Sequence, residues 1–290
     1  METIDNNKFL LVLNKKAGKT VKDSKINTIE RYLSQNGCLY KFIDVDDLTN
    51  EQDLDGYNAV VAIGGDGTVL KVIANIVNTK AKLGIIPCGT ANLFAASLAI
   101  PANIYKAMDI LIYGSTTKVD IGKAGNEFFA LRVGIGFDAD VVNGATQYWK
   151  KKIGYFAYLV QGIINCVKLS SKSYKLTIDN KTITVNANSI IVANAGNMFK
   201  NIFTIAPLGS VKDGKLDVFI LLARNFWDFL SIFIQILLGI HKLNEKVMYC
   251  QGKNIKIETI SKNMHIDGEP YCNPNLDISI LPNALMVMVP

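Results

Sequence analysis

The chain has 290 residues, 49% of them hydrophobic, and a formal net charge of +6. That length and apolar content bury a sizeable core, suit two domains of ordinary size, and exclude a disordered or low-complexity chain. No uncharged apolar run reaches the about 18 residues of a membrane span, and the start METIDNNKFL has no basic stretch leading into an apolar one, so the sequence reads as cytosolic.

In chain order, KFLLVLN (8–14) predicts a strand, the polar periodic stretch 22–36 a helix, and LYKFIDV and AVVAIGG two further strands. TVLKVIANIVN predicts a helix and AKLGIIPCGT another strand. Short apolar runs separated by helices are the pattern of a parallel sheet with helices on its faces. After residue 121 the texture changes: FFALRVGIGF, SYKLTID, KTITVNA, SIIVANA, KLDVFILLA, NIKIETI and MHIDGEPY are short β-type runs with turn residues between them, which predicts an antiparallel sandwich or barrel. Two stretches, 148–169 and 225–243, have helical length and spacing instead. The second is strongly apolar, but Asp228 and Gln235 interrupt it, so it reads as a core helix.

The cysteines, at 38, 88, 166, 250 and 272, are odd in number and contain no CxxC pair, which argues for reduced thiols over disulfides or a zinc site. His241 and His265 are the only histidines, so HExxH is excluded, a histidine-based triad has little support, and a general base would be a carboxylate. The positive charge suits a nucleic acid, an anionic membrane face or a phosphorylated ligand. The one tight basic run, Lys150 to Lys152, reads as a solvated loop, and without interleaved aromatics no nucleic-acid partner is expected.

The chemistry concentrates in VVAIGGDGTVL. Gly64, Gly65 and Gly67 fall at a strand-to-helix turn, where glycine tolerates positive φ and lets backbone N–H groups approach an oxyanion. A phosphate is the natural occupant of a helix N-terminus, and Thr68 would add a hydroxyl donor at its mouth. Asp66 repels phosphate unless a divalent cation bridges them or it takes a proton from an attacking hydroxyl, which points to phosphoryl transfer. The competing reading is a glycine-rich turn whose aspartate caps a helix. The segment is neither a Walker A loop nor GxGxxG.

GGDGT at 64–68, followed by PCGTANLFA at 87–95, resembles the catalytic-domain family of diacylglycerol kinases, sphingosine kinases and related bacterial lipid kinases; NAD kinases and phosphofructokinases share the broader GGDG motif. LVLNKKAGK resembles the family's first strand and turn, with Asn14 and Gly18 kept and Lys15 where proline is usual. VDIGK (119–123), GIGFDADVV (134–142), IVANAGNMF with IAPLGSVKDGKLDVF, and HIDGEP (265–270) resemble its later motifs in order.

The resemblance implies an α/β, Rossmann-like, ATP-binding domain at 1–121 and a β-rich sandwich for the lipid at 122–290, whose last strand could return to the first domain, with the active site in the cleft between them. It implies nucleotide contacts from Asn14, Gly65, Thr68, Thr90 and Asn92, with Gly64 and Gly67 shaping the loop and Asp66 organising magnesium. Asp267 would be the base that deprotonates the lipid hydroxyl, Glu269 would hold metal or orient, and Asp213 would bind a structural magnesium. Asp-Gly turns are the plainer reading of both Asp213 and Asp267. The implied partner is a membrane lipid, met by reversible peripheral contact at the inner membrane face, and a homodimer is compatible with it. Lys71, Leu93 and Lys200-Asn201 depart from common family residues. A soluble-metabolite kinase akin to NAD kinase and a non-catalytic lipid-binding homologue are the alternatives.

Overall fold

The computed structural model describes residues 7–14, 21–49, 54–139, 171–195, 197–198, 203–204, 210–223, 225–237, 245–261, 263–273 and 275–290. The helix expected at 148–169, the lysine run 150–152, Lys15, Gly18, Lys200, Asn201 and His241 lie outside the described residues. The chain divides into two compact units, one of residues 1–119 with 283–290 and one of residues 120–282.

The first unit is α/β. Strands β1 (Lys8–Leu13), β2 (Leu39–Asp44), β3 (Ala59–Gly64) and β4 (Lys82–Pro87) pair in the order β2-β1-β3-β4, all parallel. Helices α1 (Asp23–Gln35), α2 (Asp66–Ile76), α3 (Leu93–Ser97) and α4 (Ile104–Tyr113) connect or follow them. Phe9, Leu10, Leu11 and Val12 on β1 are all fully buried, as a parallel strand covered on both faces demands. On α2 the buried residues Val69, Val72, Ile73 and Ile76 form one stripe at helical spacing. Burying an aliphatic side chain is worth about 1.5–3 kcal/mol, so this stripe, and not propensity, holds a helix too short to persist alone.

The second unit is a β-sandwich. Strand β5 (Ser115–Ala124) enters it, followed by β6 (Glu127–Phe129), β7 (Arg132–Gly136), β8 (Lys172–Ile178), β9 (Lys181–Ala187), β10 (Ser189–Ala193), and the short pair β11 (Asn197–Met198) and β12 (Phe203–Thr204). Then come β13 (Leu216–Leu221), helix α5 (Phe226–Leu237), β14 (Val247–Gly252), β15 (Asn254–Thr259), β16 (Met264–Ile266), β17 (Glu269–Tyr271) and β18 (Asn275–Val289). One layer runs β14-β13-β10-β7-β16-β17; the other includes β9, β8, β15 and the start of β18. The last residues of β18 leave this layer, and Met286 and Val287 run parallel to Lys82 and Leu83 of β4.

Side chains at alternate positions fill the space between the layers: Val133 and Ile135, Ile190 and Val192, Leu216, Val218 and Ile220 from one, Tyr174, Leu176, Ile255, Ile257, Leu276 and Ile278 from the other. On the opposite face of β10 and β13, Ile191, Phe219 and Leu221 pack with Ile232 of α5, which is why these two strands are buried at every residue. FFALRVGIGF, read as one strand, is two: Ala130 and Leu131 leave the ladder and turn their N–H groups to a side chain.

Gly122 lies under the ring of buried Phe129, where an added Cβ would stand 2.1 Å from the ring. Gly122→Ala is expected to destabilise the protein by about 1–3 kcal/mol through overpacking, read as a lowered denaturant midpoint, and Phe129→Leu in the same chain to restore part of the loss.

Candidate active site

In the first unit the carboxyl ends of β1, β3 and β4 bring together Asn14, the 64–68 loop and the 88–92 loop. Because β1 leads outward to β2 while β3 and β4 continue the other way, these ends form a topological switch point, where open α/β sheets bind ligands. At the start of α2, Thr68 N–H donates back to Gly65 O at 3.0 Å, and the amides that precede it face this edge with the positive end of the helix dipole. An open pocket of about 380 Å³ lined by residues including Tyr57, Asn58, Lys80 and Lys82 sits at the amino ends instead, the edge such sheets leave unused.

None of the loop glycines Gly64, Gly65 and Gly67 has a positive φ; what Gly64 and Gly65 supply is the missing Cβ. A Cβ on Gly64 would lie 2.5 Å from Thr68 Oγ1, and one on Gly89 would lie 2.4 Å from Gly65 Cα. Thr68 is accordingly buried beneath the strand end, while Gly67 is exposed with open space around it and Thr90 is exposed in the second loop. The backbones of the two loops therefore touch directly, joined also by a hydrogen bond from Cys88 N–H to Gly64 O of 2.8 Å.

Asn92 clasps its own loop. Its Oδ1 accepts from Gly89 N–H and its Nδ2 donates to Gly89 O, both at 2.9 Å, which offsets its left-handed backbone at φ 52°. Asp66 ties the loops together from the other side, since its Oδ1 accepts from Phe94 N–H at 3.1 Å at the start of α3. Of the two sequence readings of Asp66, the structure realises the cap in altered form: it caps a helix, but α3, 28 residues away, and not its own. Burial pushes its carboxyl above the ordinary carboxylate range, and the amides at the start of α3 offset only part of this. Lys71 is exposed and pairs with Asp46 at 3.2 Å, an arrangement worth little in water.

In the second unit Asp267 and Gly268 form the two-residue turn of the β16–β17 hairpin, with φ 47° and 93°. This is the Asp-Gly hairpin geometry in which both central residues take positive φ. The Asp267 carboxylate is held by three consecutive amides: Ala130 N–H at 2.7 Å, Leu131 N–H at 3.0 Å and Arg132 N–H at 2.7 Å. Its own N–H donates to Arg132 O at 2.9 Å. Behind the clip, buried Asn194 donates Nδ2 to Ala130 O at 3.0 Å and its N–H to Leu131 O at 2.8 Å. Glu269 follows on β17 and is exposed.

Beside this turn lies a polar cluster that the sequence reading passed over. His265 is fully buried; its Nε2 lies 2.7 Å from Asp138 Oδ2, and its Nδ1 accepts from Gly268 N–H at 3.2 Å. Arg132 Nη2 lies 3.3 Å from Asp138 Oδ1. Burial alone would raise the Asp138 carboxyl, but the Arg132 guanidinium and His265 outweigh it and hold the group at about 2. The available signal was His265 two residues before Asp267 on one strand face, with Gly134 opposite it in the ladder.

A second turn has the same local bonds. Asp179, at φ 51° after β8, accepts from Lys253 and Asn254 N–H at 3.0 and 2.9 Å and donates its N–H to Asn254 O, but it is exposed. Asp213 is also exposed at a turn, where its carboxylate accepts from Lys215 N–H at 3.0 Å. No group of three or more His, Cys, Asp and Glu residues that could hold a metal occurs among the described residues. The 64–68 loop fits phosphate by its amides, and its single carboxylate fits a magnesium ion held chiefly by phosphate and water oxygens.

A backbone cradle at the strand ends of an α/β unit, followed by a β-sandwich, is the architecture of a two-domain kinase class. The chain belongs to the diacylglycerol kinase catalytic-domain family: it matches the diacylglycerol kinase catalytic domain over residues 8–124 and the YegS C-terminal NAD kinase beta sandwich-like domain over 131–289. It is 27% identical over 230 residues to a diacylglycerol kinase of Bacillus subtilis, covering 78% of this chain and 76% of that one. It is 29% identical over 216 residues to a diacylglycerol kinase of Staphylococcus epidermidis, covering 73% and 68%. An uncharacterized protein of Synechocystis is 33% identical over 247 residues, and there the match spans 83% of this chain but 57% of the relative. The fold is that of a diacylglycerol kinase structure from Bacillus anthracis, with a TM-score of 0.77 at 22% identity, over 98% of this chain and 97% of the other.

Because burial raises the Asp66 carboxyl, the folded protein holds that proton more tightly than the unfolded chain does. The resulting stability is present below the ordinary carboxylate range and is lost as pH rises through the raised value. Asp66→Asn, which keeps an acceptor for Phe94 N–H, is therefore expected to raise the thermal midpoint at neutral pH while lowering phosphoryl transfer, checked by calorimetry and by initial rates on the same preparation.

Proposed function

We propose that the protein transfers the γ-phosphoryl group of ATP to a hydroxyl of diacylglycerol or a closely related membrane lipid. What carries the reading is the presence, in one chain of this family, of the amide-lined 64–68 loop and of Asp267, a carboxylate fixed in direction by three backbone donors.

The amides of Gly65, Asp66 and Gly67 would hold the phosphates, with Asn14, Thr90 and Asn92 at the rim of the same edge and Thr68 supporting the loop from below. Magnesium, held by phosphate oxygens with Asp66 near it, would neutralise charge that develops on them. Asp267 would accept the proton of the lipid hydroxyl as its oxygen bonds to phosphorus and the bond from phosphorus to the ADP oxygen breaks, with Glu269 orienting. A loose phosphoryl-transfer transition state asks more of position than of basicity, which suits a carboxylate locked by its hydrogen bonds.

The reading is tested by transfer of labelled phosphate from ATP, with magnesium, to diacylglycerol, ceramide, sphingosine and phosphatidylglycerol, with NAD as a soluble control. Label on a lipid is expected; label on NAD alone would move the activity to a soluble metabolite. Asp267→Ala should lose about 10²–10⁴-fold of the rate, whereas Asp179→Ala, which removes the similar bonds of the exposed turn, should not. An Asp267→Ala protein as active as the parent would remove Asp267 from the mechanism.

A lipid acceptor resides in a bilayer, and no helix among the described residues is long and apolar enough to cross one. Peripheral contact, driven by the +6 charge and apolar side chains such as the exposed Trp227 at the start of α5, is our reading. Binding to vesicles containing anionic lipid should fall as salt is raised from low to physiological strength; sedimentation of the same vesicles with unchanged bound protein would contradict it.

A further inference from the structure

The three amides of 130–132 take the carboxylate, and Arg132 O takes the Asp267 N–H. The peptide that follows, between Asp267 and Gly268, is held by a different group: its N–H donates to Nδ1 of His265. For that ring nitrogen to accept, it must carry no proton, so the hydrogen of the neutral ring belongs on Nε2, where Asp138 Oδ2 receives it. Asp138 is in turn anchored by the guanidinium of Arg132, the residue whose backbone binds Asp267. Arg132, Asp138, His265, Gly268 and Asp267 thus close a ring of bonds.

The space for this ring is built into the sheet. Gly134 is the ladder partner of His265, and a Cβ there would lie 2.1 Å from Asp138 Oδ2 and 2.3 Å from His265 Nε2. The pair therefore lies directly on bare backbone. Asp138 is placed independently by its N–H, which donates to Ser189 Oγ at 3.2 Å, with Ser189 Oγ donating to Ile135 O.

The geometry points to His265, with its tautomer set by Asp138 and Arg132, as the positioning residue of the Asp267 turn. It touches no reacting atom; it fixes the rotation of the 267–268 peptide and so the direction in which the carboxylate faces its acceptor. The inference rests on Asp267 being the residue that takes the acceptor's proton. Partners that orient a functional group in this way are worth about 10–100-fold in activity.

Three substitutions separate the two bonds of the ring. Asparagine places an acceptor near the position of Nδ1 and loses Asp138; glutamine places a donor near Nε2 and loses Gly268; Asp138→Asn frees the ring to change tautomer. The expected result is a kcat lowered about 10–100-fold in His265→Gln and in Asp138→Asn with KM for ATP unchanged, a much smaller loss in His265→Asn, and a double variant His265→Gln/Asp138→Asn no worse than either single one. Independently of turnover, NMR of the imidazole nitrogens in the parent protein should show Nδ1 bare and Nε2 protonated. A proton on Nδ1, or His265→Gln turning over like the parent while Asp267→Ala is inactive, would overturn this inference alone. Activity surviving in Asp267→Ala would overturn the base and this inference with it.

Discussion

The hydrogen bonds between the Asp267 carboxylate and the amides of Ala130, Leu131 and Arg132 are the constraint on which the second unit's functional surface depends. Between β6 and β7 Ala130 and Leu131 leave the ladder, and with Arg132 at the first residue of β7 three successive N–H groups turn to the Asp267 carboxylate. A buried donor left unpaired costs about 1–3 kcal/mol, so the segment needs an acceptor with several lone pairs, and a carboxylate on the neighbouring hairpin meets that need. Asn194 satisfies the carbonyl side of the same segment. The proposed site and the fold therefore share their bonds: the carboxylate that completes this part of the sandwich is the one we propose as the base.

In the first unit a single carboxylate bond, from Phe94 N–H to Asp66, stands beside direct backbone contact. Two loops from adjacent strand ends are pressed together until their glycine backbones touch, and Asn92 and Asp66 tie the contact from either side. Asn92 and Asp267 both hold left-handed backbone that a side chain other than glycine adopts at some cost, and in both the side chain's own hydrogen bonds fix the conformation. Residues of the Asn and Asp type suit such places because a short polar side chain reaches nearby backbone groups.

Much of this was legible in the residues. The alternation of apolar strands and helices over the first 119 positions, and the period-2 runs from 172 onward, specify an α/β domain followed by a sandwich. Legibility failed where the cause is distant in sequence. That Gly89 must be glycine because Gly65 lies against it, that Asp66 reaches Phe94, and that β10 and β13 are buried on both faces because α5 covers one, are facts of tertiary contact with no local signature. His265 was set aside because two histidines were too few for a histidine-based mechanism; its role with Asp138 needs a register that only the sheet reveals.

The contrast between Asp179 and Asp267 shows what turns a common turn into a site. Each follows an isoleucine at a strand end, takes positive φ, accepts amides from another strand with its carboxylate and returns its N–H to a carbonyl there. Around Asp179 the matter ends: the carboxylate is exposed, and the Asn254 and Lys253 amides hold it below the usual range. Around Asp267 a third amide is added, glycine follows, and a buried histidine with a partly buried aspartate and arginine is stacked against the turn on backbone kept bare by Gly134. Burying that cluster costs solvation that an apolar packing would not, and the turn does not need it to fold, since Asp179 manages without. A cost carried at one of two turns with the same core of bonds is what our proposal expects of a place where direction, and not only stability, matters.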